Sequence, residues 1–144
     1  MKNPKVAISK NNKGKTIIGY KDSKSDISIL EELNIQLKRI CLYHENKIEI
    51  IHLTDVIRCE SQSNYTLFHL KNQQKLISCK SLLEYEKILS QYQFVRVHQS
   101  HLVNLKFVKT FVKGDNCQLI MTDLSVVEVS RRKKNFVIQH LLSL

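Results

Sequence analysis

Between Phe94 and Leu105 the chain reads Phe-Val-Arg-Val-His-Gln-Ser-His-Leu-Val-Asn-Leu. Two apolar, β-branched stretches, 94–97 and 102–105, flank His98, Gln99, Ser100 and His101. The flanks suit strands on a half-buried surface. Every side chain of the polar cluster can donate or accept a hydrogen bond, and none carries a reliable permanent charge. A pair of strands that presents such a cluster displays a surface able to read a polar target by donors and acceptors.

The pattern around this segment is of the same kind. From Ile40 onward, short period-two runs rich in β-branched and aromatic residues predict strands near 40–43, 47–52, 55–59, 65–70 and 75–78. After the cluster, further strands are expected at 108–112, 118–121 and 125–129, with Gly114-Asp115-Asn116 and Thr122-Asp123 as turns. Helical periodicity appears three times. Leu30, Leu33 and Leu37 mark a short amphipathic helix over 28–39, with Glu31 and Glu32 early and Lys38 and Arg39 late, as the helix dipole favours. Ser81-Leu82-Leu83-Glu84 has the form of a capping box and opens a helix through Leu82, Tyr85, Ile88, Leu89 and Tyr92. Phe136, Val137, Leu141 and Leu142 outline a third. Many short strands without β-α-β alternation predict a mainly β fold with a few short peripheral helices. Three segments are expected: a basic, flexible arm or loosely held hairpin over 1–25, a helix or linker over 26–39, and one domain over 40–144.

The chain carries 23 Lys and Arg against 13 Asp and Glu, a formal charge of +10. Such a surplus suggests a polyanionic partner. Nucleic acid fits, as do anionic membrane surfaces and ribosomal RNA. Cys41, Cys59, Cys79 and Cys117 show no zinc-type spacing and read as reduced, mostly buried small hydrophobes. The N-terminus lacks the apolar core of a signal peptide, and no apolar run is long enough to span a bilayer. The expected setting is soluble and cytoplasmic. No local sequence marks a nucleophile, a paired carboxylate or a glycine-rich phosphate loop, so no enzyme is expected. No cofactor is indicated either. A His98-x-x-His101 metal site would lack a third ligand at sensible spacing.

Three polar sites fall at loops or strand ends. Ser61-Gln62-Ser63-Asn64-Tyr65 is an ordinary turn former that also offers donors and acceptors to base edges. In the 98–101 cluster, Gln99 can pair bidentately with adenine, while His98 and Ser100 suit phosphate or sugar oxygens. In Ser130-Arg131-Arg132-Lys133-Lys134, Ser130 is a good N-cap and the next residues would open a helix. Four cations there oppose the helix dipole. The conflict resolves if a phosphate backbone sits opposite; otherwise it is a solvated charge run.

Together these residues resemble the LytTR family, the DNA-binding output domain of LytR/AlgR-type bacterial response regulators. The resemblance covers about 38–144. Its strongest piece is the 94–105 segment, which the family writes F-x-R-[IV]-H-x-S-x-[LIV]-[VA]-N. Further matches are Asp55-Val56-Ile57-Arg58-Cys59-Glu60 with Asn64-Tyr65, Lys80-Ser81-Leu82 with Leu89, and Val129-Ser130-Arg131-Arg132. The resemblance implies an elongated fold of antiparallel sheets packed in succession, whose loops enter successive major grooves of double-stranded DNA. By motif position, Asn64 or Tyr65, Gln99 and Arg131 would contact bases. His98, Ser100, Asn104 and Lys106 would contact or orient the phosphate backbone, joined by the cations that follow Ser130: Arg132, Lys133 and Lys134. Ser130 itself would lie against the backbone as well. The resemblance further implies two copies on paired promoter repeats.

The departures are specific. Gln99 stands where the family often has a basic residue, which would shift base preference toward adenine. The turns at Asn72-Gln73 and Asp123-Leu124 lack a glycine often found there. The family's usual receiver domain has no room in residues 1–39, so the chain is either a stand-alone member or a fragment of a response regulator. The expectation is a sequence-specific DNA-binding transcriptional regulator. An RNA-binding or ribosome-associated β domain is the alternative, and it would need an exposed aromatic stacking platform.

Overall fold

The computed structural model describes residues 6–10, 16–20 and 26–144. The chain divides into one unit of residues 1–37 and another of 38–144. In the first, β1 (Val6–Lys10) pairs antiparallel with β2 (Thr16–Tyr20), and helix α1 spans Asp26–Gln36. The remainder of the segment read as a basic arm lies outside the described residues.

The second unit is built from antiparallel sheets. A hairpin of β3 (Arg39–Tyr43) and β4 (Ile48–His52) precedes a five-stranded sheet. That sheet contains β5 (Val56–Gln62), β6 (Tyr65–Leu70), β7 (Lys75–Ser78), β8 (Phe94–His98) and β9 (His101–Asn104) in the order β7-β6-β5-β9-β8. A third sheet joins β10 (Val108–Val112), β11 (Gln118–Met121) and β12 (Val126–Glu128). Helix α2 (Leu82–Leu89) connects β7 to β8, and α3 (Lys134–Leu142) ends the chain. Every strand pair is antiparallel. The mainly β architecture with short helices is the one the sequence predicts.

Period-two alternation assigns the two faces of the large sheet. Cys59, Phe68 and Leu102 sit side by side on β5, β6 and β9 and are fully buried. Phe68 meets Tyr85 of α2 edge-on, with ring centroids 4.8 Å apart at 87°, a favoured aromatic geometry. Tyr85 is buried, and its hydroxyl bonds with Ser78 and donates to the Cys41 carbonyl at 3.3 Å. Burial without that satisfaction would cost about 1–3 kcal/mol. α2 starts as predicted: Glu84 N donates to Ser81 Oγ at 3.4 Å, and Ser81 N donates to Glu84 Oε2 at 2.9 Å. On the opposite face, Val95, Val97 and Val103 pack with Leu119, Met121 and Val127 of the three-stranded sheet and Val137 of α3. This second core fixes α3 and the segment before it against β8.

Three of the boundaries that differ from expectation bear on the site: in two, strand pairing extends further than local pattern shows, and in the third a helix starts later. α1 also ends earlier than the stretch 28–39 predicts. β5 runs on to Gln62, so the connection to β6 is only Ser63-Asn64. His98 and His101 pair across β8 and β9, so only Gln99 and Ser100 form the turn. α3 begins at Lys134; Arg131–Lys133 form a single 3-10 turn, and Ser130 makes no side-chain cap hydrogen bond. Ser130 is held instead through its backbone. Its N–H donates to Val97 O at 2.8 Å, and its carbonyl accepts from Lys133 N at 2.9 Å.

Candidate nucleic-acid interface

Two main-chain hydrogen bonds gather the three candidate sites at one end of the five-stranded sheet. Ser61 N donates to Ser100 O at 2.9 Å, which ties the β5–β6 hairpin to the β8–β9 turn. Ser130 N donates to Val97 O, which ties the Arg131–Lys133 turn to the same strand end. Asn64 is exposed and Tyr65 is 48% exposed. Gln99, Arg131 and Arg132 are exposed, and Ser100, Ser130, Lys133 and Lys134 are partly so. Between the second and third sites lies a recess of about 390 Å³ lined by Glu86, Arg96, His98, Gln99, Ser130, Arg132 and Lys133.

The β8–β9 turn is held in one shape from beneath. Arg96 Nε donates to His98 O at 3.0 Å, a second guanidinium nitrogen donates to Gln99 O, and a third donates to Glu86 Oε1 of α2 at 3.0 Å. A planar guanidinium with fixed donors suits such a clamp. Glu86 also counters its charge, so Arg96 serves the turn rather than adding an open cation. Ser100 N donates to His98 Nδ1 at 3.1 Å. That bond places the proton of neutral His98 on Nε2, the nitrogen 4.0 Å from Glu128 Oε2. The Gln99 side chain therefore leaves a backbone that is fixed on both sides. Local sequence reasoning missed Arg96 as a positioning residue. Its signal was present: a charge at a partly covered strand position between Val95 and Val97.

His101, beside this turn, has a pKa held below its ordinary value. Burial is the largest cause; Glu60 opposes it, while Arg58 and His98 reinforce it. Its Nδ1 is buried with no hydrogen-bond partner, and its ring packs against that of His98, with centroids 5.4 Å apart.

Ser63 adopts φ 55°, in the left-handed region, where a side chain costs about 1 kcal/mol. A two-residue hairpin requires such a conformation, and it turns Asn64 outward. In the third site, Lys133 Nζ sits 5.0 Å from the Phe136 ring centre. The Arg131–Lys134 cations stand at the N-terminus of the nine-residue α3, where the dipole adds further positive potential.

Two expected members stand apart. Asn104 is 2% exposed. Its amide donates to Val56 O at 3.0 Å, and its Oδ1 accepts from Lys106 N at 3.1 Å. A direct phosphate contact has no exposed group to come from, because both ends of the side chain are used inside the protein. Lys106 is exposed, but it follows the far end of β9. Three strand steps from His101 to Asn104 already place it about 10 Å from the turn.

The aromatics that a stacking platform would need do not form one exposed set. Among Tyr65, Phe68, Phe94 and Phe107, Phe68 and Phe94 are buried, Phe107 is half-buried and Tyr65 is exposed, and Phe136 of α3 is exposed as well. Cys41, Cys59 and Cys117 are buried and Cys79 is exposed. Among the described residues no helix is long and apolar enough to cross a membrane.

Comparison with known proteins gives concordant results. A family model described as LytTr DNA-binding domain matches residues 46–141. Two heme-containing CO-sensing transcriptional regulators of Paraburkholderia xenovorans, RcoM 1 and RcoM 2, are each 30% identical over 95 residues, which is 65% of this chain and 35% of each relative. The chain thus spans about a third of the length of these relatives. A solved structure, the LytTr DNA-binding domain of a Bacillus cereus protein, superposes with a TM-score of 0.63 at 21% identity, over 72% of this chain and 96% of that one.

Proposed function

This chain belongs to the LytTr DNA-binding domain family, and on that premise we propose that it is a transcriptional regulator that reads double-stranded DNA through three turns rather than a recognition helix. Asn64, Tyr65, Gln99 and Arg131 meet base edges in the major groove. His98, Ser100, Ser130, Arg132, Lys133 and Lys134 meet the phosphate backbone, with Lys106 an outlying phosphate contact. Asn104 positions β9 and touches no nucleic acid. Two copies occupy paired promoter repeats. The protein works in the cytoplasm, in a signalling chain of the two-component kind, and catalyses no reaction.

The observation that best supports this reading is the convergence of the three turns at one sheet end, each anchored by main-chain hydrogen bonds. Anchored turns keep side-chain donors in register with base edges, while the cations beside them supply affinity through counterion release. Gln99 brings an amide able to pair bidentately with adenine. Paired substitutions test the division of labour. Gln99→Ala should cost about 1–3 kcal/mol on the cognate site and relax one base position. Lys133→Ala should weaken all duplexes alike and lower the salt slope by about one unit. A Gln99→Ala protein as tight and selective as the parent, or a Lys133→Ala protein with an unchanged slope, overturns the corresponding assignment.

A further inference from the structure

A second basic recess, of about 380 Å³, lies away from the turns. Arg58, His69, Leu70, Lys71, Gln73, Gln74, Lys75, Asp123 and Ser125 line it. It is formed where the β6–β7 turn meets the β11–β12 turn. Arg58, Lys71 and Lys75 bring three permanent cations against one carboxylate, Asp123.

The informative group is Arg58. Its side chain is only 12% exposed, yet its guanidinium makes no hydrogen bond among the described residues. Nε is fully covered and has no partner. The nearest acceptor, Glu60 Oε2, is 3.8 Å from NH1, too far for a hydrogen bond. The same oxygen is 3.3 Å from His69 Nε2. Arg96 in the same sheet, by contrast, has three hydrogen bonds of its own. A guanidinium has five donors, and leaving buried donors empty carries a desolvation cost. The neighbours do not supply the missing acceptor. Asp123 is engaged with Ser125, accepting from its N–H at 3.0 Å and from its hydroxyl at 2.6 Å. Burial raises its pKa, but these bonds and the charges of Arg58 and His69 outweigh burial and hold the carboxyl ionised.

We infer that this recess binds a small organic oxyanion, a soluble molecule carrying phosphate or carboxylate groups, whose oxygens are taken by the terminal nitrogens of Arg58 and by Lys75. Lys71, whose Nζ sits 5.4 Å from the Phe107 ring centre, adds positive potential at the rim. The amides of Gln73 and Gln74 offer neutral donors to the same ligand. The site is separate from the three turns of the proposed DNA surface, though it lies near the outlying Lys106. His69 and Leu70 lie at the end of β6 opposite to Tyr65, about 13–16 Å along the strand from the Ser63-Asn64 turn. The inference does not depend on which bases the turns read.

The test is an NMR titration of the full chain in buffer free of phosphate and carboxylate, at constant ionic strength, with inorganic phosphate in one arm and citrate in the other. The Arg58 Nε–H and the His69 ring resonances are followed. The inference expects saturable, one-to-one shifts at both groups in at least one arm, and the arm that responds defines the ligand class. Lys75→Glu, at an exposed position, should weaken that binding about tenfold or more through charge reversal. Lys133→Glu should leave it unchanged. Shifts that never saturate, that survive Lys75→Glu unaltered, or that centre on Arg131 to Lys134 instead overturn the assignment.

Discussion

Replacing Asn104 separates a buried structural role from a contact with DNA. In Asn104→Ala the Val56 carbonyl loses its donor and the Lys106 N–H loses its acceptor. Val56 is fully buried, so its carbonyl bears the larger penalty. Each unsatisfied group costs about 1–3 kcal/mol when water cannot reach it. The exposed Lys106 lies at the low end of that range. The void left by the amide adds a smaller cost. The sum is about 2–4 kcal/mol, a large fraction of the stability of a domain this size. Urea unfolding followed by far-UV circular dichroism measures it, with the midpoint falling and the slope unchanged. At a temperature where the variant is folded, its salt dependence of DNA binding should match the parent. A loss of stability below about 0.5 kcal/mol together with a salt slope lower by about one unit would mean that Asn104 faces phosphate, and the structural argument would fail.

Three other outcomes follow from the geometry. Arg96→Gln releases the clamp on the Gln99 backbone; discrimination among duplexes should fall while the salt slope stays near that of the parent, since Glu86 already counters the Arg96 charge, and a selectivity equal to the parent in a quantitative binding array would refute the clamp. His69 and His101 are held below the ordinary histidine value chiefly by burial, so the folded state binds fewer protons than the unfolded one as pH falls below about 6.5. Stability should therefore be complete above that pH and decline on acidification, and His101→Gln should reduce the slope of unfolding free energy against pH between pH 5 and pH 7; an unchanged slope contradicts the assignment. Leu124 has φ 69° and is exposed, so Leu124→Gly should stabilise the protein by about 0.5–1 kcal/mol in thermal or urea unfolding, and a loss of stability would show that the turn is not strained.

Elements governed by local chemistry were legible in the sequence. The Ser81–Glu84 capping box, the apolar stripe of α2 and the period-two strands of the large sheet appear where their residues predict, with β5, β8 and β9 running further than local pattern shows. The missing glycines at Gln73 and Leu124 likewise coincide with left-handed backbone, at φ 65° and 69°. Features set by distant partners were not legible. Ser130 looks like a helix cap, but its backbone is committed to Val97, and the helix starts later. Asn104 looks like a surface amide within a binding motif, yet Val56, 48 residues earlier, draws it inside. The assembly of the interface rests on Ser61 with Ser100 and on Val97 with Ser130, pairings that no spacing along the chain encodes.

The central claim is that the three turns read base sequence. It is tested most directly by selecting duplexes from a randomised pool with the full chain at physiological salt, then repeating the selection with Gln99→Ala. The account predicts enrichment of a short motif, present as paired repeats, and loss of preference at one position of that motif in the variant. A pool that stays random while binding remains salt-sensitive would show that the basic surface grips polyanions without reading them, and the base-contact assignments to Asn64, Tyr65, Gln99 and Arg131 would be wrong.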